Sequence, residues 1–348
     1  MNIPSFLFTG IGSVPHTNSK AINRIIFNLF SSMPFWPQLP RRSPYENMVN
    51  QFIEGFVIAT EDIEKGKIYI NTGDHLDEKL ALFYEKILSG DLDFFSITKK
   101  YALGLHDFLS FLLKKEDDLQ FVKGQITGPI TMGLVITDEE KKAIIYNETL
   151  FEAIIALIKQ KIKWMEKRFF EIKKDLKVVM FIDEPSLASF GSAFSNFPKE
   201  QVINSLNEIF ADMKSLPGIH CCANTDWSLI FETNVKIVSF DAYSYFNNLS
   251  LYKDDIVRFI KNGGVLSWGI VPTDDNINKE DALSLFSLLE KEMNQLIDMG
   301  IDKEILIPAT FITPSCGTGT LTIPQAEKAL NLTKEIALMA KDKWAEYL

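Results

Sequence analysis

Short apolar runs alternate with longer amphipathic stretches along most of the chain. A run of roughly four to eight apolar residues is typical of a buried strand, whereas apolar residues repeated every three to four positions predict a helix. The pattern predicts strands at residues 7–10, 56–60, 120–125, 177–182, 218–222, 236–241, 264–270 and 305–312. The clearest helices are predicted at residues 152–173, 199–213, 279–299 and 324–344.

Strands that alternate with helices favour parallel pairing through right-handed crossovers. Eight such strands predict a closed (β/α)8 TIM barrel, and we expect residues 1–348 to form a single domain of this kind. The glycine-rich phosphate fingerprint is missing after the first strand, which opposes a dinucleotide-binding sheet. Three stretches are expected to be loop insertions, the second a hairpin or loop and the third a candidate lid: 35–45, 65–74 and 132–147.

The composition of the chain limits the classes of partner that we expect the protein to bind. The 348 residues are 46% hydrophobic and carry a net charge of −10, which opposes nucleic-acid binding because such surfaces are basic. The sequence has neither a signal-peptide pattern at its start nor an apolar stretch of about 20 residues, so we expect no membrane insertion. With only three cysteines, reduced thiols in a cytoplasmic protein are the expectation.

Polar residues collect where the predicted strands end. In a barrel these ends form one face, which carries the active site. Packing alone gives no reason for polar residues to gather there. The strand-end residues that we take as candidates are Gly12, Ser13, Gln125, Thr127, Asp183, Glu184, His220, Cys222, Asp241 and Cys316.

Three of these residues form a candidate zinc site. Side chains alternate along a strand, so His220 and Cys222 share one face while Cys221 points to the other. Imidazole and thiolate are preferred zinc ligands, and Cys316 follows another strand. Asp241, at the end of the next strand, is the candidate fourth ligand. The bland alternative is that the cysteines are small core residues, which is our interpretation of Cys221.

The ligand types indicate the chemistry. Zinc deprotonates a coordinated thiol, and a site with two cysteinates leaves that sulfur nucleophilic, which favours alkylation of a small thiol over hydrolysis. Asp183 and Glu184 point to opposite faces of their strand, so only one of them enters the barrel mouth directly. Asp183 is favoured as the residue that holds a substrate ammonium. The alternative for such an acid is a helix cap or a salt bridge.

Taken together, these residues resemble the catalytic domain of the cobalamin-independent methionine synthases. The resemblance is strongest to the short "core" enzymes that lack the N-terminal domain. Its residues span almost the whole chain: Ile11 to Pro15, Glu46 to Val49, Lys123, Thr127 to Thr131, Asp183 to Pro185, His220, Cys222, Asp241, Cys316 and Gly317. It implies a methionine synthase-like barrel, of the type shared with uroporphyrinogen decarboxylase, that transfers a methyl group to homocysteine on zinc.

The resemblance also implies roles for single residues. His220, Cys222, Asp241 and Cys316 stand where the family binds zinc, with aspartate in place of its glutamate. Three residues match its homocysteine contacts: Ile11, Ser13 and Asp183. Glu184 is carried with them as a further substrate-binding candidate, and Asp183 and Asp241 are the candidate catalytic acids.

Two departures concern the methyl donor. The long enzymes use a second barrel to bind folate and a histidine after strand seven to protonate the folate leaving group. Residues 266–272 contain no histidine, so a methylated corrinoid, either methylcobalamin or a corrinoid protein, is the favoured donor. Two other hypotheses remain: alkyl transfer to or from another thiol such as coenzyme M, for which Arg41 and Arg42 speak, and a metal- or corrinoid-binding module without turnover.

Overall fold

The structure is a computed structural model, and it describes residues 3–62, 67–73, 75–115, 119–191 and 197–347. Ten strands lie within this part of the chain: β1 (Leu7–Phe8), β2 (Ala59–Asp62), β3 (Lys67–Ile70), β4 (Phe121–Thr127), β5 (Thr137–Asp138), β6 (Lys177–Asp183), β7 (Leu216–Cys221), β8 (Ile237–Phe240), β9 (Val265–Val271) and β10 (Thr310–Pro314). Seven of them form one curled parallel sheet in the order β1-β10-β9-β8-β7-β6-β4. The other three form a small sheet in the order β2-β3-β5.

Helices connect most successive strands of the main sheet. In the described ranges they are α1 (Ser19–Leu29), α2 (Leu76–Leu88), α3 (Leu103–Leu113), α4 (Pro129–Val135), α5 (Glu148–Ile172), α6 (Lys199–Asp212), α7 (Trp227–Phe231), α8 (Ala242–Leu249), α9 (Lys253–Lys261), α10 (Ala282–Asp298), α11 (Lys303–Leu306) and α12 (Ile323–Lys343). Among the described residues, no helix combines the length and apolarity needed to cross a membrane.

Most of the predicted elements are present. Seven of the eight predicted strands overlap strands of the main sheet, and the four long predicted helices correspond to α5, α6, α10 and α12. The prediction for residues 305–312 began too early, because Lys303–Leu306 is helical and the strand begins at Thr310. The predicted hairpin or loop at 65–74 lies partly outside the described residues, and its described part includes β3.

The predicted second strand at residues 56–60 was wrong as a barrel strand. Ala59–Asp62 instead pairs antiparallel with Lys67–Ile70, in the small sheet. The space between the edge strands β1 and β4 is bordered by segment 34–38, which overlaps the insertion predicted at 35–45. It makes only isolated parallel bridges, from Phe35 to Lys123 and from Gln38 to Ser13. The main sheet therefore has seven regular strands rather than the expected eight.

The main sheet packs apolar side chains on both faces. Residues alternate along β6, so that Val179 and Phe181 lie in a small inner cluster while Val178 and Met180 belong to the large outer one. The helices cover the outer face, and the outer cluster takes residues from them and from the strands. Parallel strands end at one edge, and the candidate site residues lie along that edge.

Candidate metal centre

Strand β7 and the loop after β10 bring the three predicted metal ligands together. One ligand atom each of His220, Cys222 and Cys316 lies within 4.8 Å of the other two. Cys221, whose side chain alternates with its neighbours, is 0% exposed and belongs to the outer core instead. Because Cys222 and Cys316 are separated by much of the chain, only the tertiary fold places both thiols beside the imidazole.

The side chains of this group suit a zinc ion. His220 shares a hydrogen bond between its Nδ1 and the Oγ of Ser239 at 3.0 Å, which fixes the ring. Its Nε2 is buried and has no hydrogen-bond partner among the described residues. An orphaned buried nitrogen is costly unless something binds it, and two thiols plus one imidazole are a donor set that zinc prefers.

The two thiols are electronically unequal. A hydrogen bond from Cys316 is the largest cause that lowers the pKa of Cys222, to about 4, and the His220 imidazole adds to it. The same hydrogen bond, followed by burial, raises the pKa of Cys316. The two thiols therefore titrate as a pair, in which the pKa of Cys222 is the one held low. The thiolate is the form of cysteine that binds a metal cation.

Asp241, the fourth predicted ligand, does not belong to the group of three. It is the N-cap of α8, and its Oδ1 accepts the backbone N–H of Ser244 at 2.8 Å. Burial is the largest cause that raises its pKa, to about 6, and the imidazole of His220 acts in the opposite direction. The carboxylate is thus close enough to interact electrostatically with His220, but its hydrogen bond caps the start of a helix.

The adjacent acids Asp183 and Glu184 point in different directions, as strand alternation predicts. Asp183 lines the cavity beside the thiols, is 6% exposed, and its Oδ1 has no hydrogen-bond partner among the described residues. Burial raises its pKa to about 6. Glu184 is absent from the described lining of the cavity. Its carboxylate accepts hydrogen bonds from the first residues of α4, Ile130 and Thr131.

A cavity of about 620 Å³ opens above the three ligands. Ile11 and Ser13 form one wall, so the structure brings together six of the predicted site residues: Ile11, Ser13, Asp183, His220, Cys222 and Cys316. It does not bring Glu184 or Asp241 to this surface. Gly317 packs so closely on Ser13 that a Cβ there would lie 2.1 Å from the serine Oγ.

Glu46 is a cavity residue that was not among the predicted site residues. It is 1% exposed, and its Oε1 accepts hydrogen bonds from Arg42 Nη2 at 2.6 Å and from Leu103 N–H at 2.8 Å. Its Oε2 is buried without a partner in the described part of the chain. Burial raises its pKa. The available signal was its place in the segment 46–49, which resembles the methionine synthases.

Comparison with solved structures shows which proteins share this architecture. A B12-independent methionine synthase from a Shewanella species, in complex with selenomethionine, superposes with a TM-score of 0.59 at 14% identity, over 98% of this chain and 99% of that one. A putative vitamin-B12 independent methionine synthase from Listeria monocytogenes gives a TM-score of 0.60 at 12% identity, covering 99% of both chains. The chain shares the fold of these methionine synthases.

A third solved structure extends the likeness to another methyltransferase. The protein from Methanosarcina mazei has a TM-score of 0.54 at 14% identity, over 95% of this chain and 87% of that one. No protein-family model matches the sequence, and no curated protein matches it. At such identities the likeness concerns the fold, so function has to be argued from the site.

Proposed function

We propose that this protein is a zinc-dependent methyltransferase that methylates the thiol of L-homocysteine to give methionine, with a methylated corrinoid as the donor. One observation carries the proposal. An orphaned imidazole nitrogen and two thiols face a cavity that also holds buried carboxylate oxygens without partners, on Asp183 and Glu46. A sulfur site and an ammonium site in one cavity suit an amino acid with a thiol.

His220, Cys222 and Cys316 are the residues that would hold zinc, with Asp241 as the candidate fourth ligand. When bound there, zinc would supply the deprotonation of the acceptor thiol. The protein residues supply orientation: Ser239 fixes the imidazole through its hydrogen bond to Nδ1. Ligands from separate strand ends, beside an open cavity, are typical of catalytic zinc sites rather than structural ones.

Two carboxylate oxygens without partners, Oδ1 of Asp183 and Oε2 of Glu46, would receive the ammonium group of the amino acid. A buried oxygen without a partner is unfavourable, and a bound ammonium supplies the missing hydrogen bond. With a pKa of about 6, Asp183 is largely ionised at neutral pH, which is the form that pairs with a cation. Ile11 and Ser13, which also line the cavity, would contact the acceptor.

The surroundings of the cavity support a corrinoid donor. None of its described lining residues comes from β9, and His220 is the single histidine among them. His16 lies against Glu327, and His106 lies against the carbonyl of Ile97. Methyl transfer from folate needs an acid for the leaving nitrogen. In transfer from methylcobalt, the sulfur lone pair forms the S–C bond while the Co–C electrons remain on cobalt as Co(I).

A direct assay tests the proposal. Zinc-loaded protein is mixed with L-homocysteine and either methylcobalamin or methyltetrahydrofolate, and methionine is measured with the visible spectrum of the cobalamin. We expect methionine with methylcobalamin in equal yield to Co(I) or its oxidised product. Turnover with folate alone would show that the proposed donor is wrong. If methionine formed with neither donor, nor with a methylated corrinoid protein, the proposed activity would be wrong.

The acceptor is tested by exchanging thiols in the same assay. Arg41 lines the cavity at its exposed rim and donates to the Thr320 carbonyl at 2.8 Å, so a cation is present that could meet a sulfonate. Coenzyme M is therefore the competing acceptor. The free carboxylate oxygens of Asp183 and Glu46 favour homocysteine, because they would repel a sulfonate. Preference for coenzyme M over homocysteine would show that the acceptor has been misassigned.

A further inference from the structure

A buried lysine lies inside the main sheet, below the proposed acceptor site. Lys123 belongs to β4 and is 0% exposed. Its Nζ lies 4.7 Å from the centre of the Phe181 ring and forms no ion pair with a carboxylate of the described residues. Instead it donates to two neutral oxygens, the Ile11 carbonyl and Oε1 of Gln125, the latter at 3.1 Å.

Such a placement is expensive for the fold. Removing an ammonium group from water is strongly unfavourable, and two neutral acceptors offset only part of that penalty. Burial lowers the pKa of Lys123 to about 7, while the nearby charge of Asp183 acts in the opposite direction. The surrounding inner cluster is apolar, so a methionine or leucine would serve packing better. The side chain therefore calls for a role beyond packing.

The hydrogen bond of Lys123 ends on the backbone of the cavity wall. The neighbouring carbonyls of this wall are held by backbone groups: Gly12 O accepts from Gln38 N at 3.0 Å, and Ser13 O accepts from Thr318 N at 2.8 Å. The Ile11 carbonyl is held from below by the lysine. All three carbonyls of the wall are thus fixed, and one of them depends on a charged side chain.

The same lysine supports the turn through a second contact. Gly12 has φ +156°, and a Cβ there would lie 2.5 Å from Gln38 Oε1 and 2.9 Å from the Gln125 amide. Gln125 is itself held between Lys123 and the Trp36 carbonyl, to which its Nε2 donates at 2.9 Å. The turn at Gly12 therefore packs against Gln125, and Lys123 holds that glutamine.

Charge adds to this geometry. Asp183 faces the cavity from the neighbouring strand β6, and the Lys123 ammonium is the first charge that opposes its raised pKa. The charge of Lys123 therefore stabilises the Asp183 carboxylate, while its hydrogen bond fixes the Ile11 carbonyl. Both effects converge on the space where the amino-acid part of the acceptor would lie.

We infer that Lys123 is a positioning residue for the acceptor amino acid, acting through the Ile11 carbonyl and through its charge beneath Asp183. The inference rests on the proposed function. In this role the side chain helps to bind the acceptor and takes no part in methyl transfer itself. Its loss should therefore raise the KM for homocysteine far more than it lowers kcat, and the effect should depend on the amino group.

The test compares Lys123→Met with Lys161→Met. Lys161 is the matched control, because it is also 0% exposed and donates to a backbone carbonyl, that of Ser96, but does not line the cavity. The measurements are kcat and KM for homocysteine and for 4-mercaptobutyrate, its analogue without the amino group. In Lys123→Met we expect the KM for homocysteine to rise roughly 10- to 100-fold, with the analogue little affected.

Two further measurements decide between the outcomes. Lys123→Gln keeps a hydrogen-bond donor but no charge, so its KM for homocysteine should lie between those of wild type and Lys123→Met. In the Asp183→Asn background, Lys123→Met should raise the KM for homocysteine by a smaller factor than it does in the wild-type background. An active Lys123→Met protein with the wild-type KM and the wild-type preference for the amine would overturn this inference alone. A wild-type protein that methylates no homocysteine would overturn both the inference and the proposed function.

Discussion

At the residue scale, the three cysteines separate metal binding from packing. Cys222→Ala or Cys316→Ala removes a thiol from the group around His220, so we expect zinc to fall from about one ion per chain to almost none. Cys221→Ala is the control, because that thiol lies in the outer core. It should keep zinc and lose about 1 kcal/mol of unfolding free energy. Metal analysis with thermal melting measures both.

The same measurement distinguishes the kinds of zinc site. A catalytic site on a formed sheet should lose its zinc to a chelator while the circular dichroism spectrum stays native. Global unfolding on zinc removal would indicate a structural metal instead, since structural sites contribute their binding energy to folding. Retention of full zinc by both Cys222→Ala and Cys316→Ala would contradict the assigned ligands.

Gly317 allows a second residue-scale prediction. The methyl group of Gly317→Ala would lie 2.1 Å from the Oγ of Ser13, so the serine hydroxyl has to turn away from its present position. We expect the KM for homocysteine to rise roughly tenfold, the effect of about one lost hydrogen bond. Gly73→Ala is the control, since its Cβ would meet only an Asn71 oxygen, at 3.1 Å. Equal KM values in both variants would contradict a role for Ser13.

What the sequence reveals at this scale depends on regular geometry. Alternation along a strand separates Asp183 from Glu184 and Cys222 from Cys221, and the structure has both separations. Glu46 and Arg41 could not be assigned in the same way. They belong to a segment rich in proline, where no repeat tells which way a side chain points.

At the scale of elements, Glu184 links the end of β6 to the start of α4. Its carboxylate accepts from Ile130 N at 2.8 Å, from Thr131 N at 2.8 Å and from Thr131 Oγ1 at 2.6 Å. Glu184→Ala leaves buried donors at the helix start without partners, so we expect a loss of about 2–5 kcal/mol in unfolding free energy. Urea denaturation measures this loss.

A cap at the surface is the control for that prediction. Asp281 caps α10 through the N–H of Ser284 at 2.8 Å in an exposed position, where water replaces the lost acceptor. Asp281→Ala should therefore lower the free energy of unfolding much less than Glu184→Ala does. If Glu184→Ala were no worse than Asp281→Ala, or if it abolished homocysteine binding without loss of stability, the structural role of Glu184 would be wrong.

The missing second strand has a physical explanation at this scale. Residues 56–60 are apolar enough to be predicted as a strand, but the chain pairs Ala59–Asp62 within a small hairpin sheet. The position beside β1 and β4 is taken by segment 34–38, which contains Pro34 and Pro37. Proline donates no backbone hydrogen bond, so this segment forms isolated bridges and its sequence does not resemble a strand.

At the scale of the whole molecule, the alternation of strands and helices was enough to predict a parallel α/β architecture. Seven strands in one curled sheet agree with it, and the likeness to solved methionine synthases covers nearly the full chain. The cavity was not predictable, because most of its lining comes from residues 38–48 and from the loop after β10. These contacts have no local signature.

Lys161 connects one buried charge with the stability of the whole molecule. It lies in α5 with 0% exposure, and its Nζ donates to the Ser96 carbonyl at 3.0 Å. Burial lowers its pKa to about 7 from an ordinary 10.5, while Glu54 and Glu61 act in the opposite direction. Between these two values the unfolded chain binds this proton and the folded chain does not. Stability contributed by this group therefore rises with pH across that window.

The difference in the free energy of unfolding between wild type and Lys161→Met should depend on pH. From about pH 7 to pH 10, wild type should gain up to about 1.4 kcal/mol per pH unit relative to the variant, because one proton is released on folding. Below pH 7 the difference should be constant, since lysine is then protonated in both states. Subtracting the two urea-denaturation series removes the contributions of all other titrating groups.

Lys159→Met, on the same helix, is the control. Lys159 pairs with Glu208 at 2.9 Å near the surface, so it keeps its proton in both the folded and the unfolded chain across this window. The difference in the free energy of unfolding between wild type and Lys159→Met should be nearly independent of pH from 7 to about 10. If Lys161→Met gave the same flat difference, Lys161 would be charged within the fold at alkaline pH. Its neighbours Glu54 and Glu61 would then compensate the burial of its charge.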